Sequence, residues 1–503
     1  MDWSSYSGSP LLPSRRRLLG VLSGAATIGL AGCGTGGNTD ITPPPKACLS
    51  DVSLSVSDAQ APDSWPFPAH DSARTGYAPN TPPTELGQRW AVGESDLPTG
   101  AAATATERWS DQLIWSETPP VLADGNLYVG TTGGVHALDP ASGEHRWTVD
   151  VALPEYRAPI YVTESLLVVP GALTPGYFRD RLVGIDREAR SVRWEHGYPI
   201  LGSPVPRLAV GADAIYAVEY SWVVELDPAT GEYRDDTRLN LPDNRQIIDH
   251  ALDGSVLYAT SRLSVFALDV SAGSVRWQRR VEGLPDPMGP GTRLLWHVVA
   301  GQDRVYAQTT YELPEDTGAG GEDSDGGGPV EEPAVGPNDV LVALDAASGE
   351  QLWTYPDAGV SLTARPALAD GTLFVGGVRG DDSTETGSGG AAERRGFLAA
   401  VDGAEGCARW YVEPFAGETA PVGAITGAGE TLFVPTADAE GRAAALLAVD
   451  ATDGSVRARH EHGDVAATSP AVVADGRAYL TVDPGPESYD GDAEIRAYGA
   501  AGG

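Results

Sequence analysis

The side chains with enough chemical reach to act on a ligand are few. There are three cysteines, Cys33, Cys48 and Cys407, and no two of them form a CxxC metal or haem-attachment pair. His460 and His462 stand two apart, which on a strand puts both on one face, where they could occupy two positions of a metal shell. No third ligand stands near them, so they read as an exposed strand end. His250 after Asp249, and His297 after Trp296, are isolated and read as structural. The run Glu322-Asp323-Ser324-Asp325-Gly326 has the composition of a calcium loop. No frame gives it glycine at the sixth position with glutamate at the twelfth, so it reads as a solvated loop. A phosphate-binding glycine loop, a Gly-x-Ser-x-Gly elbow and a His-Glu-x-x-His pair are all missing from the sequence. The residues therefore nominate no catalytic group and no metal site.

Composition narrows the partners. The 503 residues carry 70 acidic and 34 basic side chains, a net charge of −36, and Lys46 is the single lysine. Nucleic acid is excluded as a partner, because phosphate binding needs a basic stripe. A lysine-poor acidic surface suits strong brine, where the Debye length falls to about 3 Å and carboxylates stop repelling at a distance. The composition points to a halophilic archaeon as the source.

The N-terminus reads as an address. Ser14-Arg15-Arg16-Arg17 precedes an apolar run from Leu18 to about Ala31. That run is too short to cross the ~30 Å hydrocarbon core as a helix, and it fits the core of a signal peptide. Arg15 and Arg16 match the paired arginines of a twin-arginine export signal. The run ends in Leu30-Ala31-Gly32-Cys33, a lipobox in which Cys33 would be lipidated. The expected arrangement is a signal peptide over 1–32, a flexible tether over 33–62 with Pro43-Pro44-Pro45, and a folded body over 63–503. The protein would then sit on the extracytoplasmic face of the membrane, held by the lipid on Cys33. A bridge between Cys48 and Cys407 stays open, and the placement of Cys48 in a tether speaks against it.

The elements that would position any site come from a repeat. An apolar strand ends in Asp, a turn carries Gly, and Trp follows. The copies are Asp139-Gly143-Trp147; Asp186 and Trp194, with Arg190 at the glycine position; and Asp227-Gly231, with Tyr233 for Trp. Then come Asp269-Gly273-Trp277, Asp345-Gly349-Trp353, Asp402-Gly406-Trp410, and Asp450-Gly454 without Trp. Each is preceded by two apolar segments joined by a tight turn, as in Val121-Leu122-Ala123-Asp124-Gly125-Asn126-Leu127-Tyr128, a strong hairpin signal. The unit is thus four antiparallel strands in about 40–48 residues, the size of a propeller blade. The Asp would cap turn amides, Gly would supply positive φ, and Trp would pack between blades. An eighth blade is shared: Glu494–Tyr498 offers a third strand, and the segment holding Trp90 offers the fourth, so pairing them would close the ring. Acidic loop insertions are expected at about 312–339 and 379–396.

These Ala-x-Asp-x-x-x-Gly-x-x-x-Trp units resemble the PQQ-like β-propeller repeat, over about residues 65–500. The segment from Trp65 to Tyr77 is similar to that family's lead-in. The resemblance implies an all-β, eight-bladed propeller of four-stranded antiparallel blades. Its family includes quinoprotein alcohol dehydrogenases and a non-catalytic lipoprotein of the outer-membrane barrel-assembly machinery. The dehydrogenase branch would imply PQQ, a Ca²⁺ held by carboxylate and amide oxygens, an acidic base and a Trp platform. The sequence lacks the adjacent cysteine pair and the long inter-blade segments of those enzymes. The expectation is therefore a surface-tethered scaffold that binds envelope proteins, with no cofactor. A divergent PQQ- and Ca²⁺-dependent dehydrogenase is the alternative.

Overall fold

The computed structural model describes residues 47–500, apart from 49, 55–63, 99–117, 132, 154–158, 173–178, 198–206, 212, 242–246, 283–292, 302, 312–338, 356–359, 380–394, 416–418, 439–441, 464 and 484–492. Cys33, Arg15 and Arg16 lie outside the described residues, as do most of both acidic insertions.

The Asp-Gly pairs make their turns. Asp124 and Gly125, Asp370 and Gly371, and Asp475 and Gly476 all have positive φ, the pattern that a two-residue type I′ hairpin needs. Each hairpin joins the innermost strand of a blade to the second strand. In blade 1 the strands are Val121–Ala123, Asn126–Thr131, Gly134–Leu138 and His145–Val149, each paired antiparallel with the next. The following blades repeat this order, and there are eight in all. Strands one to three lie between neighbouring blades, so they run apolar on both faces: Gly134–Leu138 and Val256–Thr260 are buried throughout. The fourth strand faces solvent, and in Ser274–Arg280 only Trp277 is buried.

The ring closes with chain from both ends. Gly87–Gly93 pairs antiparallel with Glu494–Gly499, placing Trp90 opposite Ala497, so the outermost strand of blade 8 comes from the N-terminal side. Between blades 6 and 7 the innermost strands leave regular geometry. Ala364–Arg365 pairs in parallel with Gly423–Ala424 instead of with its own hairpin.

The repeat residues weld one blade to the next. Asp139 accepts the amides of Ala141 and Ser142 with one oxygen, and Asp227, Asp402 and Asp345 do the same for their own turns. The other oxygen takes an arginine seven residues on. Examples are Asp227 with Arg234 at 2.6 Å, Asp269 with Arg276 at 2.7 Å and Asp402 with Arg409 at 2.7 Å. Asp186 with Arg193 and Asp450 with Arg457 follow the same spacing, and Asp345, with Leu352 at that position, does not. Hydrogen bonds from Ser271 and Arg276 push the Asp269 carboxyl down to about 2.

The indoles of Trp90, Trp194, Trp277, Trp353 and Trp410 reach into the next turn. Trp277 donates to Ala346 O at 2.9 Å, Trp353 to Gly403 O at 3.0 Å and Trp410 to Ala451 O at 2.9 Å. The turn glycine lies against that indole: a Cβ on Gly406 would meet Trp353 at 2.6 Å. Where blade 3 carries Tyr233 for Trp, the facing Gly273 meets no indole. Arg190, standing at the glycine position of blade 2, takes φ +53° and lays its guanidinium over Trp147.

The cysteine reading needs correction. Cys48 and Cys407 form a disulfide with Cα atoms 5.3 Å apart, and Ala47 bridges Ala408 in parallel. Val52 is buried among residues of blades 6 and 7. Residues 47–54 are thus fastened to the propeller and are not free tether. Two cysteines 359 residues apart give no spacing signal, because it is strand pairing at Ala408 that brings them together.

Gly406 and Gly125 separate two costs. Both have positive φ, but nothing lies within 4 Å of a Cβ on Gly125. Gly125→Ala should cost about 1 kcal/mol of backbone strain. Gly406→Ala must also displace the Trp353 indole, and should cost about 1–3 kcal/mol more by overpacking. Urea unfolding of both variants checks the difference; equal costs would remove the indole from the account.

Candidate functional site

Chain preceding the closing strand runs once round the inside of the ring. Trp65 exchanges backbone hydrogen bonds with Leu122 of blade 1, and Pro66 O accepts from Val162 of blade 2. Ser72 bonds Val210 of blade 3 through its hydroxyl and Leu252 of blade 4 through its carbonyl. Ala73 O serves Ala300 of blade 5, Thr75 O serves Leu368 of blade 6, and Gly76 O serves Gly427 of blade 7. Asn80 Nδ2 and Thr81 O reach Val473 and Gly476 of blade 8. The contacted residues are equivalent by register. Leu122, Val162, Val210, Leu252, Ala300, Leu368, Gly427 and Val473 each pair across their hairpin with the residue five positions further on.

This equivalence exposes a site. Three residues before the contact, blades 1, 2, 7 and 8 carry Pro119, Pro159, Ala424 and Pro470. Blades 3 to 6 carry Arg207, Asp249, His297 and Arg365 at the same level. Asp249 is fully buried and lies at the centre of the group. Arg74, from the inner segment, is 2.9 Å from Oδ1, Arg365 is 3.2 Å from Oδ2 and Arg207 is 3.4 Å from Oδ1. The Val298 amide donates to Oδ2 at 3.2 Å, and His297 Nδ1 lies 3.9 Å away. Arg74 is aimed by a tight turn. Asp71 accepts the Thr75 amide at 2.9 Å and also its hydroxyl, and Arg74 itself is held at φ +62°. Such strain costs on the order of 1 kcal/mol and persists only where surrounding contacts fix it.

The electrostatics follow from burial against charge. Burial alone would raise the Asp249 carboxyl, but Arg365 and Arg74 override it and hold it well below the usual carboxylate range. Burial, helped by Arg74, pushes His250 down to about 3; burial with Arg365 pushes His297 down to about 4. Both rings are neutral at ordinary pH. Burial also brings Arg365 down to about 10, against the pull of Asp249. Among the described residues, Arg365 Nη1 has no hydrogen-bond partner.

The remaining candidates fall elsewhere. His460 and His462 meet the ring of Tyr498, in the strand Glu494–Gly499, at tilted and edge-on angles with centroids 4.6 and 6.2 Å away, and His462 is buried. The expected exposed strand end is instead covered by the C-terminal strand. His136 sits between Thr131 and Thr148, each at 2.9 Å. The repeat residues lie at the outer blade interfaces, away from the channel cluster. Sequence reading passed over Asp249, Arg207 and Arg365 because they are not near one another in the chain. The hairpin register aligns the blades and shows charges where other blades have proline or alanine.

The residues do not fit a calcium-bound quinone. Ca²⁺ takes six to eight oxygens, most of them anionic or carbonyl. Here the carboxylate at the channel is already met by three guanidiniums, which would repel a divalent cation. Among the described residues, no three His, Cys, Asp or Glu side chains converge on one point. A base near neutral pH needs a raised carboxyl, and Asp249 is shifted the other way.

Asp249 and its neighbours set a pH dependence. Asp249→Asn leaves three guanidiniums facing each other and should cost about 3–5 kcal/mol. The unfolded chain protonates its histidines near 6.5, whereas folded His250 and His297 resist to about 3 and 4. The unfolded state therefore binds protons first as pH falls, and stability that is full above about pH 6.5 declines toward pH 4. His297→Gln should flatten that slope in urea midpoints measured at pH 7.5 and 5; an unchanged slope would remove His297 from it.

Comparison with known proteins fits the repeat. The sequence matches the family described as outer membrane protein assembly factor BamB over residues 94–250 and 337–485, more than half of the chain. It is 29% identical over 174 residues to 1-butanol dehydrogenase (cytochrome c) of Thauera butanivorans. That match takes in 31% of this chain and spans 23% of the enzyme's length. Two solved structures share the fold. The quinohemoprotein alcohol dehydrogenase of Comamonas testosteroni has 14% identity, a TM-score of 0.55 and coverage of 89% of this chain and 82% of its own. A quinohemoprotein alcohol dehydrogenase of Pseudomonas putida has 15% identity, a TM-score of 0.54 and coverage of 88% and 81%.

Proposed function

The chain belongs to the BamB family of PQQ-repeat propellers, and from that premise we propose that it is a non-catalytic scaffold, anchored at the cell surface, that binds other envelope proteins. The observation that carries this reading is the saturation of Asp249 by Arg74, Arg207 and Arg365 at the channel. It puts positive charge where an oxidoreductase of this fold would need a cation and a free carboxylate base.

The Cys48–Cys407 disulfide supports export, because such bonds persist in oxidising compartments. Export through Arg15 and Arg16 with lipidation at Cys33 gives the anchor. The disulfide fastens Cys48 to blade 6, so a lipid on Cys33 would join the propeller there. Outer-membrane assembly is the role in that relative's name, and in a cell with a single membrane only the architecture would carry over.

Two measurements test the reading. Cys33→Ser should move the protein from the membrane fraction to the medium; retention on the membrane would refute the lipid anchor. Purified protein given PQQ and Ca²⁺ should show no calcium-dependent quinone binding and no dye-linked alcohol oxidation. Stoichiometric calcium-dependent binding with turnover would establish the dehydrogenase instead.

A further inference from the structure

The channel cluster is not neutral. Arg74, Arg207 and Arg365 each pair with Asp249, and no other carboxylate among the described residues lies within salt-bridge reach of them. Three guanidiniums against one carboxylate leave a surplus of two positive charges, since His250 and His297 stay neutral. This is out of character for the chain, which carries 70 acidic residues and commits most of its repeat arginines one to one with turn aspartates.

We propose that Arg74, Arg207 and Arg365 form a binding site for a small oxyanion of charge −2, a dicarboxylate or a phosphate-like dianion. Three features support it beyond charge. Among the described residues, Arg365 Nη1 is buried and has no acceptor, beside the bond its other nitrogen makes to Asp249, so a donor is already desolvated and waiting. Arg74 is presented by a strained, left-handed residue pinned by Asp71 and by the backbone bonds of Ala73 and Thr75, so the site is preorganised. Arg207 is 39% exposed and makes the longest of the three contacts, which gives the anion a way in. Guanidinium forks match carboxylate and phosphate oxygens in pairs, so one dianion can engage two of the three at once. Asp249 holds the arginines together against their mutual repulsion until the ligand arrives.

Titration calorimetry on the full chain at constant potassium chloride tests this with malonate, inorganic phosphate, sulfate and acetate. One saturable site per chain is expected, with at least one dianion bound about tenfold more tightly than acetate, the effect of a single well-placed charge contact. Malonate binding without phosphate binding would assign a dicarboxylate; the reverse would assign a phosphate-like ligand. Arg207→Gln removes one surplus charge at the most exposed arginine, and should erase the preference for dianions over acetate while circular dichroism shows the fold intact. The wild-type selectivity needs no variant, so the test stands even if the substitution unfolds the chain. Saturable binding by none of the four probes, equal affinity for acetate and every dianion, or an Arg207→Gln profile unchanged from wild type would overturn the site. PQQ is itself a tricarboxylate, so calcium-independent PQQ binding without turnover would support the anion site and leave the scaffold reading standing.

Discussion

Eight blades in a row would leave an unpaired edge strand at one end and an uncovered blade face at each end. One continuous segment removes both. Residues Gly87–Gly93 complete blade 8 beside Glu494–Gly499, and the residues just before them hydrogen-bond to the innermost strand of every blade. Trp90 then donates to Pro140 O at the turn of blade 1, so the same strand that closes the sheet also packs the last interface. The N- and C-terminal strands are far apart in sequence, so closure carries a large loop entropy. Distributing the holding contacts over all eight blades sets many hydrogen bonds against that entropy.

That inner segment also decides where charge can sit. Its carbonyls accept from the contacted residues of blades 1, 2 and 4 to 7, and its Ser72 and Asn80 side chains donate to the Val210 and Val473 carbonyls of blades 3 and 8. The side chains three residues earlier are left to differ. In four blades they are proline or alanine, and in four adjacent blades they are Arg207, Asp249, His297 and Arg365. Arg74 enters from the inner segment itself. Outside the channel the pattern reverses: acidic turns face solvent, and all but Asp345 hold an arginine seven residues on. The molecule therefore separates an acidic exterior from a basic interior point.

The sequence made the blades legible because most copies repeat the same local problem: an Asp that caps its own turn, a glycine at positive φ and an indole reaching the next blade. The arginine at Asp+7 carried the same period and was visible, yet it reads as an ordinary solvated charge until a partner is in view. Closure through Trp90 could be read because a lone Trp strand and a blade missing its last strand are complementary defects. The Cys48–Cys407 bond could not be read, since no local pattern links Cys48 to the edge of blade 6. The channel cluster lay between these cases. Its members are scattered over nearly three hundred residues, and only the register of the hairpins shows that they share a level.

The same register underlies the proposal that this chain shares the dehydrogenases' fold without their chemistry. A propeller fixes where innermost strands begin and leaves the residue there free, so one scaffold can present acids or bases at one point. Calcium and a carboxylate base need negative charge concentrated and partly unpaired. This chain concentrates guanidiniums and leaves its one central carboxylate fully engaged. Reversing that would take more than adding a ligand. Removing Asp249 would strand three cations, and replacing the arginines one at a time would leave a buried carboxylate short of partners, each step unfavourable in a low-dielectric interior. The sign of the charge at the channel is thus built into the fold's stability, and it selects anions.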